Sequence, residues 1–149
     1  MAKDRGIAMS SAEIARLLDE ERTITLATVG ANGMPHLSAM WYARDDETVL
    51  MWTHRASQKA RNLFRDPRAS LMLEAGETHD ELRGCCLECD AELVSDFDAV
   101  RALGSSIHVR YFEQSSDTAG QLDSEARRRV GVRFHVVRAR TWDHRRLHQ

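Results

Sequence analysis

Two periods of hydrophobic residues divide the chain into short helices and strands. After Ser10, the segment AEIARLLDEE places Ile14, Leu17 and Leu18 on one helical face, and Glu13 completes a capping-box pattern with Ser10. The next segment, RTITLATV, changes to a period of two and predicts a strand. We therefore expect the chain to open with an amphipathic helix followed by a strand.

A tight turn joins this strand to a second one. The Asn32-Gly33 pair favours the positive φ angles of a β-hairpin, so MPHLSAMWYA is expected to return antiparallel. One face of this second strand is apolar and is predicted to be core: Leu37, Ala39, Trp41 and Ala43. The other face is mixed in character: His36, Ser38, Met40 and Tyr42.

Four more strands and two more helices follow along the chain. The strands are predicted in TVLMWTH, RASLMLEA, LRGCCLECDAELV and RVGVRFHVVRA. One helix begins near Ser57 and stops at Asp66-Pro67, because proline disfavours helical geometry in the residue before it. Asp96 is a plausible cap for the last helix, DFDAVRALGSSIHVRYFE, and QSSDTAGQ is expected to be a loop. Six strands with hairpin turns favour a mainly β (α+β) antiparallel barrel with short flanking helices.

Composition supports a folded protein of ordinary polarity. Hydrophobic residues make up 42% and charged residues 30% of the 149 residues, which suits a single domain over residues 1–149. No segment has the apolar character of a secretory signal or a membrane span, so we expect a cytoplasmic protein with no membrane partner.

Charge is segregated along the chain although the formal net charge is only -2. Residues 74–98 carry nine acids and one base, whereas residues 127–149 carry eight arginines and one acid. Such polarity suits an anionic ligand, but it can equally pair one region or one subunit with another. No helix-turn-helix or aromatic stacking pattern accompanies it, so a nucleic-acid partner is not expected.

The usual motifs of metal and dinucleotide sites do not appear in the sequence. Cys86 and Cys89 form a Cys-x-x-Cys pair, but odd spacing on a strand sends their side chains to opposite faces. We therefore expect small buried hydrophobic residues and no metal site. There is no Walker loop and no GxGxxG. Any enzymatic chemistry would then belong to a bound organic cofactor.

The segment THRASQKARNLFRDPR carries five cations against the single acid Asp66. Ser57 lies where the helix should begin, Lys59 lies in its first turn, and Asn62 follows on the same face. Arg61 and Arg65, four residues apart, form a separate cationic stripe on the same helix. The residues alone leave open whether this helix is a solvated surface or a clamp for an anion.

The run from Thr25 to Glu74 resembles the pyridoxamine-phosphate-oxidase-like flavin and deazaflavin oxidoreductases. The shared pattern is a Gly-x-Pro hairpin, a strand ending in the Trp41-Tyr42 pair, Lys-x-x-Asn-Leu, and Arg-Asp-Pro-Arg. DELRG at 80–84 and WDHRRL at 142–147 are similar to members of the deazaflavin-dependent branch. The resemblance implies an FMN-binding type of split β-barrel, forming a homodimer with the cofactor in a groove at the subunit interface.

By resemblance, nine residues become candidates for cofactor binding, and no catalytic residue is assigned. Three would lie along the ring system: His36, Ser38 and Met40. Four would lie around the phosphate: Thr53, Ser57, Lys59 and Asn62. Some relatives have arginine at the position of Ser57, and Arg55 is a candidate to supply that contact here. Trp142 either completes the pocket of the partner subunit or simply packs within its own.

The resemblance also implies an activity and two competing cofactors. The deazaflavin coenzyme F-420 is favoured over FMN, because Arg61, Arg65 and Arg127–Arg129 could accommodate its anionic tail. The expected reaction is hydride transfer to a small unsaturated molecule, with solvent, His36 or Tyr42 as the proton donor. The alternative is a non-catalytic protein that binds FMN or sequesters a tetrapyrrole or another ligand.

Overall fold

A computed structural model describes residues 6–112 and 118–149. In chain order, the helices are α1 (Ser11–Glu20), α2 (Gln58–Arg65), α3 (Phe97–Tyr111) and α4 (Thr118–Ala126). The strands are β1 (Ile24–Val29), β2 (Pro35–Met40), β3 (Ala43–Asp45), β4 (Thr48–His54), β5 (Arg68–Ala75), β6 (Arg83–Val94) and β7 (Arg129–Asp143). Short 3-10 turns cover His79–Glu81 and His144–Arg146.

The strands form one antiparallel sheet in the order β2-β1-β5-β6-β7-β4-β3. This confirms the predicted mainly β architecture of the split-barrel type. The described strands number seven and not six, because the predicted second strand breaks after Met40. At the break Tyr42 turns inward and is fully buried, and its hydroxyl donates to the carbonyls of Leu18 and Glu21. The polypeptide then resumes as β3 and pairs with β4.

The two faces of β2 are the reverse of the prediction. Leu37 is 66% exposed and Trp41, just past the strand, is 48% exposed, although both were expected to be core. Met40, from the mixed face, packs against the main core cluster instead. Alternation alone shows that two faces differ, and it does not show which of them an edge strand turns towards the core.

The core lies between one face of the sheet and helices α1 and α2. Alternate positions of β1, Ile24, Leu26 and Thr28, are all buried, as the period of two requires of a strand with one face in the core. On β6, Cys85 and Cys89 are buried while Cys86 is half-buried, which confirms that Cys86 and Cys89 face opposite sides. A second apolar cluster joins α3 to β4 and β6.

The predicted helix signals are confirmed at α1, α2 and α3. Ser10 and Glu13 form the capping box of α1, and the side chains of Ser57 and Asp96 cap α2 and α3. Helix α2 ends at Arg65, just before the Asp66-Pro67 pair. No helix within residues 6–112 and 118–149 is both long and apolar enough to cross a bilayer.

The prediction of a loop at residues 114–121 is wrong for residues 118–121, which are helical. Residues 113–117 lie outside the described residues, and α4 begins at Thr118. Leu122 and Ala126 are both buried, four residues apart on one face of α4. An apolar stripe of only two residues is too short a pattern to predict a helix from sequence.

Candidate functional site

Two hydroxyl groups and an unpaired ammonium group lie where β4 meets α2. Thr53 is only 6% exposed, and its Oγ1 lies 3.2 Å from Oγ of Ser57. The Ser57 hydroxyl also accepts a hydrogen bond of 3.2 Å from the amide of Ala60, which caps the helix. The half-buried Lys59 forms no hydrogen bond or ion pair with any described residue. This first turn therefore offers a free cation beside the start of a helix, as an anion clamp would require.

Asn62 is held inside the fold rather than presented at the clamp. It is fully buried, and its Nδ2 donates to Oγ1 of Thr28 over 3.0 Å. Its Oδ1 accepts from Gln58 at 2.7 Å and from Arg65 at 3.2 Å. These bonds join α2 to β1. Contact of Asn62 with a cofactor stays a prediction.

Three arginines meet beside the clamp, although they are far apart in the sequence. The amide of Arg55 donates to the carbonyl of Arg128 over 3.0 Å, and its guanidinium donates to the carbonyl of Arg127. Arg128 donates to the hydroxyl of Ser124 over 3.0 Å. None of the three guanidinium groups pairs with a carboxylate of the described chain. The two basic segments noted in the sequence therefore meet here, and we call Arg55, Arg127 and Arg128 the arginine cluster. The guanidinium of Arg127 lies 5.8 Å from the ring centre of Phe97.

A groove of about 660 Å³ lies between β4 and helices α3 and α4, and its lining includes neither the clamp residues nor the arginine cluster. Its walls come from the end of β2, from β4, from α3 and α4, and from the start of β7. The aromatic and polar side chains that line it include Trp41, Trp52, His108, Phe112, Gln121, Glu125 and Arg129. Of these seven, only Arg129 was named from the sequence, as part of the Arg127–Arg129 run that could accommodate an anionic tail. Only the folding of α3 and α4 against β4 brings them together, so no local signal could have marked them.

The charges within the groove neutralise each other. Arg129 Nε lies 2.6 Å from Oε2 of Glu125, and its guanidinium lies 5.0 Å from the ring centre of Trp52. The hydrogen bond from Arg129 holds the pKa of Glu125 below its usual value. Arg129 also pairs with His54 in the β4–β7 ladder. The interior of the groove is thus close to neutral, and Arg129, which lines it, directly follows Arg127 and Arg128 in the chain.

The residues predicted along the ring system lie on one face of β2. Met40 lines the groove, whereas Ser38 and His36 are half-buried further along the strand. Nδ1 of His36 is enclosed and has no hydrogen-bond partner among the described residues. A buried polar atom without a partner costs free energy and calls for an explanation such as a ligand.

Tyr42, the other proposed proton donor, is unsuited to that role. Its hydroxyl donates within the fold to the Leu18 carbonyl at 2.6 Å and the Glu21 carbonyl at 3.0 Å. Burial raises the pKa of Tyr42 to about 12. The suggestion that Tyr42 protonates a substrate is therefore wrong.

Trp142 lies far from the clamp within the same chain. It pairs with Gly84 near one end of β7, while Arg129 occupies the other end, roughly 40 Å away along the strand at ~3.3 Å per residue. Its indole nitrogen donates to Glu74 over 2.8 Å. Any contact of Trp142 with a cofactor at the clamp would have to come from a second subunit.

Comparisons with known proteins place the chain in one family. The profile described as "Pyridoxamine 5'-phosphate oxidase" matches residues 10–143. A pyridoxine/pyridoxamine 5'-phosphate oxidase from Cupriavidus metallidurans is 33% identical over 116 residues, 74% of this chain and 53% of the relative. The chain thus spans about half the length of the curated relatives it matches.

Solved structures share the fold over most of the chain. The conserved hypothetical protein Rv2991 from Mycobacterium tuberculosis is 46% identical, with a TM-score of 0.89 over 96% of this chain and 90% of that one. An F420 reductase is 22% identical, with a TM-score of 0.69 over 84% of this chain and 94% of that one, and shows likeness of fold alone. The chain described here belongs to the pyridoxamine 5'-phosphate oxidase family.

Proposed function

We propose that this protein is an oxidoreductase that binds a flavin-type cofactor, the deazaflavin coenzyme F-420 in preference to FMN. The cofactor's ring system would lie in the groove, and its anionic part would reach the turn between β4 and α2. When bound, such a cofactor supplies hydride for transfer to a small unsaturated molecule. The cytoplasm stays the expected location.

The arginine cluster is the observation that carries the preference for the deazaflavin. Arg55, Arg127 and Arg128 have no carboxylate partner in the described chain. Their positive charge, added to that of Lys59, is more than one phosphate group would neutralise. A longer anionic tail would compensate them. In the separate stripe on α2 formed by Arg61 and Arg65, Arg65 donates to the carbonyl of Val29 over 2.6 Å. Arg65 therefore already stabilises the fold by joining α2 to β1.

The described residues fit a bound cofactor in two further respects. The groove volume of about 660 Å³ lies within the ordinary range for ligand sites. The indoles of Trp41 and Trp52 offer apolar surface to a planar ring system. The clamp would be formed by Thr53, Ser57 and Lys59, of which only Lys59 brings a charge.

A homodimer is part of the proposal. The outer face of β2 exposes Leu37, and on the same side of the sheet Met72 of β5 is 46% exposed. A second copy of the chain would cover this apolar surface and could bring its Trp142 towards the clamp. Changing Leu37 to Asp should yield a monomer in sedimentation velocity. Val109→Asp is the matched control, since Val109 is 70% exposed on α3; an unchanged mass for Leu37→Asp would refute this interface.

The cofactor proposal is tested by titrating the purified protein with F-420 and with FMN, each followed by fluorescence. We expect tighter binding of F-420, and weaker binding of both as salt rises. Lys59→Ala should raise the Kd of either cofactor about tenfold, because a hydrogen bond to a charged group contributes about 1.5 kcal/mol. The double change Arg127→Ala/Arg128→Ala should weaken F-420 more than FMN.

The control for these charge changes is Arg16→Ala. Arg16 is exposed on α1 and forms no described hydrogen bond or ion pair, so its loss should leave both affinities unchanged. Equal loss of FMN and F-420 in the double variant would remove the argument for the deazaflavin. Tight binding without turnover across a broad panel of acceptors would favour the non-catalytic alternative.

A further inference from the structure

Two histidines from distant parts of the chain meet at the end of β7 that lies away from the clamp. His79 belongs to the 3-10 turn before β6, and His144 belongs to the 3-10 turn after β7. The amide of His144 donates to the carbonyl of Leu82 over 2.8 Å, and the two imidazole centres lie 4.7 Å apart. Neither THDE nor HRRLH has the spacing of a metal motif by itself, which is why the sequence predicted no metal site.

Each of the two rings has one nitrogen engaged and the other free. Nδ1 of His144 lies 2.8 Å from the carbonyl oxygen of His79, and because a carbonyl only accepts, this nitrogen carries the hydrogen. Nδ1 of His79 lies 3.4 Å from Oδ1 of Asp80. Hydrogen bonds from His79 and then from His148 lower the pKa of Asp80, so its carboxylate stays charged and accepts.

The Nε2 atoms of both rings therefore present lone pairs. Neither atom has a hydrogen-bond partner within residues 6–112 and 118–149. Metal-binding histidines usually have this arrangement, in which Nδ1–H donates to a carbonyl or carboxylate and fixes the ring while Nε2 binds the ion.

The spacing of the two rings fits binding to a single ion. Two imidazoles bound at about 2.1 Å, with about 90–110° between the bonds, have ring centres roughly 4.5–5.2 Å apart. The observed 4.7 Å lies in this range. The side chain of His79 is 74% exposed, so its ring has room to turn towards the ion. No three His, Cys, Asp or Glu side chains of the described chain form a complete metal site, so water would occupy the remaining positions.

The charges around the pair favour a cation. Arg145 and Arg146 lie close by, but both are within ion-pair distance of Asp143, at 2.8 Å and 3.7 Å. The carboxylate of Asp80 faces imidazoles instead, since Nε2 of His148 lies 3.3 Å from the same Oδ1 atom. No lysine or arginine of the described chain pairs with Asp80. Its negative charge is therefore available to compensate a bound ion.

We propose that Nε2 of His79 and Nε2 of His144 bind one divalent transition-metal ion, with Asp80 hydrogen-bonded behind His79. Imidazole ligands favour Cu²⁺, Ni²⁺ and Zn²⁺, whereas Mg²⁺ and Ca²⁺ prefer oxygen ligands. The ion would join the turn before β6 to the turn after β7 and so hold the end of the chain against the sheet. The site is separate from the clamp and does not depend on the proposed function.

The test is calorimetric titration of the tag-free, folded chain with Ni²⁺. Ni²⁺ is the probe because copper and Zn²⁺ also bind thiols, of which the chain has three. His79→Ala removes one ligand. His144→Asn removes the other but keeps an N–H that can donate to the His79 carbonyl, so the turn should stay folded. His135→Ala is the matched control, since His135 is exposed on β7 and contacts Glu92.

We expect the wild type to bind a single Ni²⁺ per chain and to show no heat of binding with Mg²⁺. His79→Ala and His144→Asn should each raise the Kd for Ni²⁺ at least about tenfold, and Asp80→Asn should raise it about tenfold through loss of the outer carboxylate. His135→Ala should leave the Kd unchanged. Thermal unfolding without metal shows whether each variant is folded before it is titrated.

Three outcomes would overturn the site. They are absence of Ni²⁺ binding to the wild type up to about 1 mM, a wild-type Kd in either ligand variant, or an equal loss of affinity in His135→Ala. A wild-type Kd in Asp80→Asn would overturn the role of Asp80. The titration contains neither F-420 nor FMN, so failure of this site and failure of the proposed function are measured independently.

Discussion

Gly104 is expected to be the least replaceable position of helix α3, although it lies in the middle of the helix. Glycine inside a helix costs about 1 kcal/mol relative to alanine, so Gly104→Ala would ordinarily stabilise the protein. Here, however, the indole of Trp52 lies directly on Gly104. A Cβ built on Gly104 would be 2.5 Å from Cε3 of Trp52 and closer still to two further ring atoms.

The change in the free energy of unfolding on Gly104→Ala is the cost of the clash with Trp52 less the gain in helix propensity. Overpacking typically costs about 1–3 kcal/mol, and contact with several atoms of a rigid ring places this site near about 3 kcal/mol. Subtracting about 1 kcal/mol for the better helix propensity leaves a net destabilisation of about 2 kcal/mol. For a chain of this length, that corresponds to a fall of about 4–8 °C in Tm. Because Trp52 lines the groove, its displacement should also weaken cofactor binding.

The assay is a double-mutant cycle in urea, followed by circular dichroism. Gly104→Ala should be destabilising in the wild type and stabilising by about 1 kcal/mol in a Trp52→Leu background, a coupling of about 3 kcal/mol. Ser106→Ala, an exposed change in the same helix, reports the propensity effect without the indole. A stabilising Gly104→Ala in the wild type, or additivity within the cycle, would show that the indole does not constrain position 104.

Two further predictions concern titratable groups. Arg145 donates to the nearly buried Asp143 from Nε at 2.9 Å and Nη2 at 2.8 Å, which lowers the pKa of Asp143. The stabilisation is therefore present above the unfolded pKa near 4 and is lost as the pH falls through the lowered pKa of the folded state. Asp143→Asn should cost about 1 kcal/mol at neutral pH in urea melts, and this cost should shrink as the pH falls below about 4. Burial raises the pKa of Cys85 to about 11 and that of Cys89 to about 12, so both thiols stay protonated and unreactive at pH 8. Ellman's reagent at pH 8 should therefore label at most one of the three thiols until urea is added. Rapid labelling of two thiols in the native protein would contradict their burial.

The elements that the sequence predicted correctly are those set by local interactions. The capping box of α1, the Ser57 and Asp96 caps, and the antiparallel hairpin at Asn32-Gly33 each depend on residues within a few positions of one another. Of the Asn32-Gly33 pair, only Gly33 has the positive φ that was expected of both. Contacts over long distances in sequence leave no such pattern. Arg110, for example, donates to the carbonyl of Leu18 at 3.1 Å and of Glu21 at 3.0 Å and so closes the end of α1 from 89 or more residues away. No periodicity could indicate that contact.

The candidate site likewise has one part formed by residues close in sequence and another part formed by residues far apart in sequence. The clamp at Thr53, Ser57 and Lys59 lies within seven residues, so motif resemblance could select it, whereas the groove is assembled from five elements and was missed.

The error on β2 follows from a different cause. An apolar strand face predicts burial, but it does not say whether the chain's own core or another surface covers it. In this chain the core takes the mixed face with Met40, and the apolar face with Leu37 is left outside. The wrong prediction is thus informative: an apolar face that the chain's own core does not cover is where a second copy would be expected to bind, which is why Leu37→Asp is a direct test of the proposed dimer.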